Sequence, residues 1–257
     1  MASEVQHDTA LDRDIVKHAA AGEFRKVLEC IGFGGSPDAS DGAGRTSLHH
    51  AAERADERAI VALLRAGASA NSRDKRGYTP LMLAARSSEP HSLAALLAGG
   101  ADADAESNQG TTALVAACVW GRDRSVIALL DRTRRTNYGD GKCTPLHAAV
   151  LACATSTVET LLDTGAAANG RDTSGDTPLH RVLSLARERP DVVRLLLENG
   201  ADPVVRSGGG QTPSEIAAAS GQFESAAVLA TATLAITGSG DDGRKANVVS
   251  PTKEERA

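Results

Sequence analysis

Three histidines recur in one setting. His49, His147 and His180 each stand three residues after a threonine, in Thr46-Ser47-Leu48-His49, Thr144-Pro145-Leu146-His147 and Thr177-Pro178-Leu179-His180. Imidazoles bind metals and move protons near neutral pH, so these are the first places to look for chemistry. Their repetition in register explains all three without it, and His7, His18, His50 and His91 have no partner pattern. Cys30, Cys118, Cys143 and Cys153 show neither C-x-x-C spacing nor histidines at metal-ligand intervals. Serines and aspartates are present, but no G-x-S-x-G elbow, phosphate loop or H-E-x-x-H helix accompanies them. Gly208-Gly209-Gly210 lacks the lysine that would follow in a phosphate cradle and reads as a loose turn. These residues give no reason to expect an enzyme, a metal site or a cofactor.

The threonine that opens each block is a ruler for the whole chain. It falls at Thr46, Thr79, Thr112, Thr144, Thr177 and Thr212, in steps of 33, 33, 32, 33 and 35 residues. Another 33 residues back lies Arg13, where Ile15, Ala19 and Gly22 mark a seventh, degenerate copy. Thr79-Pro80, Thr144-Pro145, Thr177-Pro178 and Thr212-Pro213 read as helix starts, because the hydroxyl caps a free N–H and proline at the first helical position loses no needed donor. Small residues such as Ala51-Ala52 and Ala84-Ala85 suit a closely packed first helix. A break follows, at Gly22, Gly121 and Gly221 in three copies, then a second helix carrying Leu63-Leu64, Leu96-Leu97, Leu129-Leu130, Leu161-Leu162 or Leu196-Leu197 on one stripe. Gly67, Gly100, Gly165 and Gly200 stop it. Asp74-Lys75-Arg76-Gly77 and Asp172-Thr173-Ser174-Gly175 read as hairpin tips, with an acid that bonds the backbone two residues on.

Helix, break, helix, glycine stop and hairpin at about 33 residues resembles the ankyrin repeat, with its T-P-L-H-x-A signature. The resemblance covers about residues 11 to 235. It implies an all-α ankyrin-repeat solenoid of helix-turn-helix units joined by β-hairpin loops, with repeats beginning near 11, 42, 75, 108, 140, 173 and 208. The expected organisation is an N-terminal extension (1–10), the array (11–237) and a disordered, glycine- and charge-rich tail (238–257). The fourth copy reads Thr133-Arg134-Arg135 where others have glycine-alanine, so its hairpin is expected to be irregular. The sixth carries two extra residues within 184–190, where Pro190 suits a loop or a helix start. The family uses the block histidine structurally, near the hairpin. Asn71, Asn137 and Asn169 occupy the slot that asparaginyl hydroxylases modify in many ankyrin proteins, and asparagine is also favoured there for its local bonding. Ser250-Pro251 resembles a proline-directed kinase site.

The family binds partners with hairpin tips and the exposed ends of first helices. Those slots hold Arg45, Glu53 and Arg54 in the second repeat, and Lys75, Arg76, Tyr78, Arg86 and Ser87 in the third. The fourth adds Asn108, Gln109, Thr111, Val119 and Trp120. The sixth and seventh offer small or nearly neutral residues there. The expected partner-binding set is therefore Arg45, Arg54, Lys75, Arg76, Tyr78, Arg86, Asn108, Gln109 and Trp120. Tyrosine, tryptophan and arginine dominate interface energetics, and the cations point to an acidic or phosphorylated segment.

Charge and composition bound the function further. A formal net charge of −5 argues against nucleic acid, whose binders carry a strong basic footprint. Aromatic residues make up 2% of the chain, which suits an alanine- and leucine-packed stack. The first residues lack the basic-then-apolar pattern of a secretory signal, and no stretch suits a membrane span. The expected protein is a cytoplasmic, also nuclear, non-catalytic adaptor, scaffold or inhibitor, monomeric on its own, that engages another protein through repeats 2–4. Alternatives are a targeting or assembly-chaperone subunit of a larger enzyme complex such as the proteasome, and direct nucleic-acid binding through Lys75, Arg76 and Arg86. Cys30 and Cys118 are expected to be small core residues. The last helix, with Glu224 as its only charge, leaves either a surface that the tail covers or a second interface.

Overall fold

The computed structural model describes residues 9–133 and 143–238. Among these, fourteen helices form seven pairs: α1 (Thr9–Ala21) with α2 (Phe24–Gly32), α3 (Ser47–Glu53) with α4 (Glu57–Arg65), α5 (Pro80–Ala84) with α6 (His91–Ala98), and α7 (Ala113–Val119) with α8 (Asp123–Leu130). The remaining pairs are α9 (Pro145–Leu151) with α10 (Thr155–Asp163), α11 (Pro178–Leu183) with α12 (Pro190–Glu198), and α13 (Pro213–Ala219) with α14 (Phe223–Gly238). First helices stack in chain order, each on the next, and each packs against its own second helix. The core between the layers is leucine and alanine, from Leu48 and Leu63 through Leu81, Leu96, Leu114 and Leu129 to Leu196 and Leu229.

Each first helix starts for a local reason. The capping threonines have extended backbone, and the hydroxyls of Thr112, Thr144 and Thr212 accept the N–H three residues on, from Val115, His147 and Glu215, at 3.2, 3.4 and 3.3 Å. The reciprocal bond comes from the block histidine. Thr46, Thr144 and Thr177 donate their backbone N–H to Nδ1 of His49, His147 and His180, at 3.1, 3.3 and 3.1 Å. In the last repeat Glu215 takes this role from Thr212, at 2.7 Å. The proline slot is filled by Pro80, Pro145, Pro178 and Pro213, all buried at the first helical position. Pro190 also begins a helix, α12, so the two extra residues of the sixth repeat are taken up in the loop before it.

The break between paired helices needs a left-handed residue. Gly22, Gly121 and Gly221 supply it at φ +80°, +58° and +67°. In the same slot Ala55 and Cys153 adopt φ +54° and +56°, where a Cβ clashes with the adjoining carbonyl. Relieving that strain outweighs glycine's greater unfolded-state entropy, so Ala55→Gly is expected to stabilise the array by about 0.5–1 kcal/mol. Equilibrium urea unfolding measures it, and a lower midpoint would contradict the strain.

The tips are hydrogen-bonded turns. Asp74 N–H donates to the Tyr78 carbonyl (3.0 Å), while the Asp74 carboxylate accepts the N–H groups of Arg76 and Tyr78 at 2.9 and 2.8 Å. Asp41, Ser107, Asp172 and Ser207 anchor the equivalent loops. Among the described residues the extended pairing amounts to one isolated antiparallel bridge, Ser40 with Thr46. Longer β-hairpin arms do not form among the described residues. Successive tips stack directly: Lys75 N–H donates to the Ala43 carbonyl (2.9 Å) and Asn108 N–H to the Arg76 carbonyl (3.0 Å). Gly208 is part of this stacking, not a loose turn, since a Cβ there would collide with the Ser174 carbonyl of the preceding tip.

Cys118 is fully buried and burial pushes its thiol well above the usual range, whereas Cys30 is only half-buried, at the rim of the core. The junction beginning at Arg134, Asn137, Ser250 and residues 239–257 lie outside the described residues.

Candidate partner-binding groove

The exposed ends of α3, α5 and α7, with the tips that precede them, enclose two adjoining clefts. The larger, about 680 Å³, lies between the tips at Ala43 and Lys75-Arg76 and the helix-end residues Glu53 and Arg86, with Leu83 at its floor. The smaller, about 320 Å³, is bounded by Arg54, Arg86, Ser87, Trp120 and Arg122. Glu53, Leu83 and Arg86 line both, so the groove is continuous across the second to fourth repeats.

Within it the cations have different duties. Arg45 is committed to Glu53 through two bonds of 3.0 and 3.1 Å, and the guanidinium holds the Glu53 carboxyl below its ordinary range. Arg54 reaches back to the Ala20 carbonyl at the end of α1 (2.6 Å) and so straps two repeats together. Lys75, Arg76 and Arg86 have no ion pair among the described residues, and all three are exposed. Arg76 lies 5.1 Å from the centre of the Tyr78 ring and Arg86 lies 4.9 Å from that of Trp120. Each stack holds a guanidinium in place while its edge donors stay open. Asn108 staples the tips, its side-chain amide donating to the Lys75 carbonyl at 2.9 Å. Gln109 is exposed at the next tip, where only its backbone N–H is engaged, with Ser107 Oγ at 3.3 Å.

Two contributors escaped the sequence reading. Arg122, three residues past Val119, donates from Nε to the Arg86 carbonyl (3.0 Å) and closes the smaller cleft. Leu151, at the end of α9, is 48% exposed in the slot that holds Arg86 and Val119 in earlier repeats. Reading the fifth repeat with the same ruler would have found Leu151. Nothing in sequence marks Arg122, whose role depends on a carbonyl 36 residues away.

The block histidines face away from any such chemistry. His49, His147 and His180 are buried, with Nε2 donating to the carbonyls of Tyr78, Asp176 and Val205 in the next loop at 3.0, 3.0 and 3.1 Å. Burial lowers the pKa of each, and the bond to a carbonyl opposes that only in part. Among the described residues no three His, Cys, Asp or Glu side chains are grouped to hold a metal ion, and no helix is long and apolar enough to cross a membrane. Asn71 and Asn169 bond the following repeat, each donating to a glycine carbonyl (Gly100 at 3.0 Å, Gly200 at 2.8 Å). A further cleft, about 560 Å³, lies between α12 and α14 beside Leu197 and Val228.

Stacked helix pairs joined by turn tips, with a groove along the first-helix ends, define a repeat solenoid built for recognition. Residues 15–107, 48–140 and 134–207 match the family model for ankyrin repeats in three copies, and the chain belongs to the ankyrin repeat family. The ankyrin repeat domain of human ASB11 superposes at TM-score 0.74 with 24% identity, covering 88% of this chain and 98% of that one; at this identity the likeness is one of fold. The ankyrin repeat domain of Bcl-3, of the IkappaB protein family, gives TM-score 0.73 and 28% identity over 87% of this chain and 98% of that one. By sequence, 68 residues are 44% identical to human 2-5A-dependent ribonuclease and 73 residues are 42% identical to the Arabidopsis thaliana regulatory protein NPR5. These stretches cover 26% and 28% of this chain but only 9% and 14% of those proteins. Ankyrin repeats are a protein-protein interaction module.

Proposed function

We propose that this chain is a non-catalytic adaptor, scaffold or inhibitor that binds another protein along the groove of repeats 2–4, and that the bound segment is acidic or phosphorylated. One observation carries the reading: Lys75, Arg76 and Arg86, unpaired among the described residues, converge with Tyr78 and Trp120 on one continuous groove. In a chain whose formal net charge is −5, a groove lined by more cations than acids and flanked by aromatics favours an anionic protein segment over indiscriminate polyanion binding. The chain acts as a monomer, and the thiols of Cys30, Cys118 and Cys153, in no disulfide, suit a reducing compartment such as cytoplasm or nucleus.

Affinity purification with mass spectrometry, run beside a Lys75→Glu/Arg76→Glu variant, tests it. The tip side chains are exposed, so the variant is expected to keep its thermal midpoint and lose its specific partners. Equal recovery of the same proteins by folded wild type and variant would overturn the reading.

A further inference from the structure

We infer that the concave face reads a bipartite epitope: an acidic segment on the third repeat joined, within reach of one extended strand, to an apolar anchor on the fourth and fifth. This rests on the reading of the groove as a partner site and adds the partner's second half.

The position seven residues after each threonine runs along the ends of the stacked first helices. From the second repeat onward it holds Glu53, Arg86, Val119, Leu151, Ser184 and Ala219. The line therefore changes from charged to large and apolar to small. Val119 and Leu151 are 52% and 48% exposed, on the adjacent helices α7 and α9, and Trp120 beside Val119 is 48% exposed. Exposed apolar side chains scattered singly need no explanation, but three in neighbouring slots form a patch that mutual burial in a complex would remove from water. The other large exposed residues, such as Phe33 and Phe223, lie outside this slot. Arg86 stacks on Trp120 where the two halves meet, so the basic and apolar surfaces are contiguous.

Spacing defines the partner's shape. Packed helices lie about 8–10 Å apart, and an extended chain advances about 3.3 Å per residue. One repeat thus corresponds to about three residues of bound strand. The basic side chains of the third repeat and the apolar ones of the fourth and fifth lie one to two repeats apart, so acidic block and apolar anchor should be separated by about three to six residues.

Selection from a random 16-residue peptide display library against the immobilised chain tests this directly. The expected winners carry an acidic block and a large apolar residue at that separation. A synthetic winner, followed by fluorescence polarisation, should bind Leu151→Asp or Val119→Ser at least about tenfold more weakly, and Arg86→Glu likewise, while thermal midpoints hold. Winners enriched in acids alone, or equally well bound by Leu151→Asp, would overturn the bipartite epitope and leave the acidic-partner reading standing. Winners without acidic enrichment, or no binder from this library and none from a phosphorylated peptide array, would overturn both. Should Leu151→Asp convert a self-associated wild type into a monomer in sedimentation, the patch is an interface between copies and the inference fails.

Discussion

Acidification from pH 7 to about 5 is expected to destabilise the array steeply, at up to about 1.4 kcal/mol per pH unit for each buried histidine. In the unfolded chain these imidazoles take up a proton near pH 6.5. In the fold His49, His147 and His180 must stay neutral, because Nδ1 accepts a threonine N–H and Nε2–H is spent on a carbonyl. A second proton would set an N–H against an N–H at a buried site. Burial lowers all three, and it lowers His50 as well, although Asp41 at 3.2 Å favours the protonated form there. A lowered folded pKa means stability that is present above pH 6.5 and is lost as pH falls toward the folded value, since only the unfolded chain binds protons across that interval. Below about pH 4 a further loss should follow. Burial works against the ionised Asp172, but the Asp176 N–H and the Arg181 guanidinium outweigh it and hold that carboxyl below its usual range.

Urea unfolding across pH 5–8 measures the first loss. His147→Gln should be less stable at pH 7 by about 1–3 kcal/mol, because the Asp176 carbonyl or the Thr144 N–H loses its partner. It should also show a shallower acid slope than the wild type. A wild-type stability that is level between pH 7 and 5 would exclude neutral buried imidazoles.

Trp120→Ala is expected to weaken partner binding by about 2 kcal/mol, roughly thirtyfold, while changing stability little. The ring is half exposed and its loss leaves no core cavity. Two effects combine: contact area goes, and Arg86 loses the ring that holds its guanidinium 4.9 Å from the centroid. Arg86→Ala and Trp120→Ala should therefore couple in a double-mutant cycle by about 0.5–1 kcal/mol. Strict additivity would show that the stack plays no part in recognition. Affinity should also fall as salt rises, because Lys75, Arg76 and Arg86 are exposed and their attraction to an acidic segment is screened over about 8 Å at physiological ionic strength.

Most of the array is legible in the order of residues because its determinants are short-range. A threonine with histidine or glutamate three residues on closes a cap. An aspartate bonds the backbone two and four residues ahead, and Gly67, Gly100, Gly165 and Gly200 take φ from +83° to +93° where a second helix must stop. Repetition at about 33 residues then forces first helices onto first helices, since none can bury its small-residue face alone. Ala55 and Cys153 show the margin of that logic: the slot dictates a left-handed turn even where the side chain disfavours it.

The groove was legible only as a set of positions. That Arg45 is neutralised by Glu53 is a contact within one repeat, eight residues apart, whereas the ties of Arg54 to the Ala20 carbonyl 34 residues earlier and of Arg122 to the Arg86 carbonyl depend on neighbouring repeats lying side by side. Long side chains choose among many rotamers, and the choice is made by whatever the adjacent repeat presents. Sequence thus determined the family, the period and the cap that each block histidine closes, through contacts spanning a few residues, whereas the Nε2 bond of each to the next loop belongs to the stacking. Tertiary stacking decided which cations remain open to a partner and that an apolar strip from Val119 to Leu151 continues their line, because both follow from contacts between residues about one repeat apart.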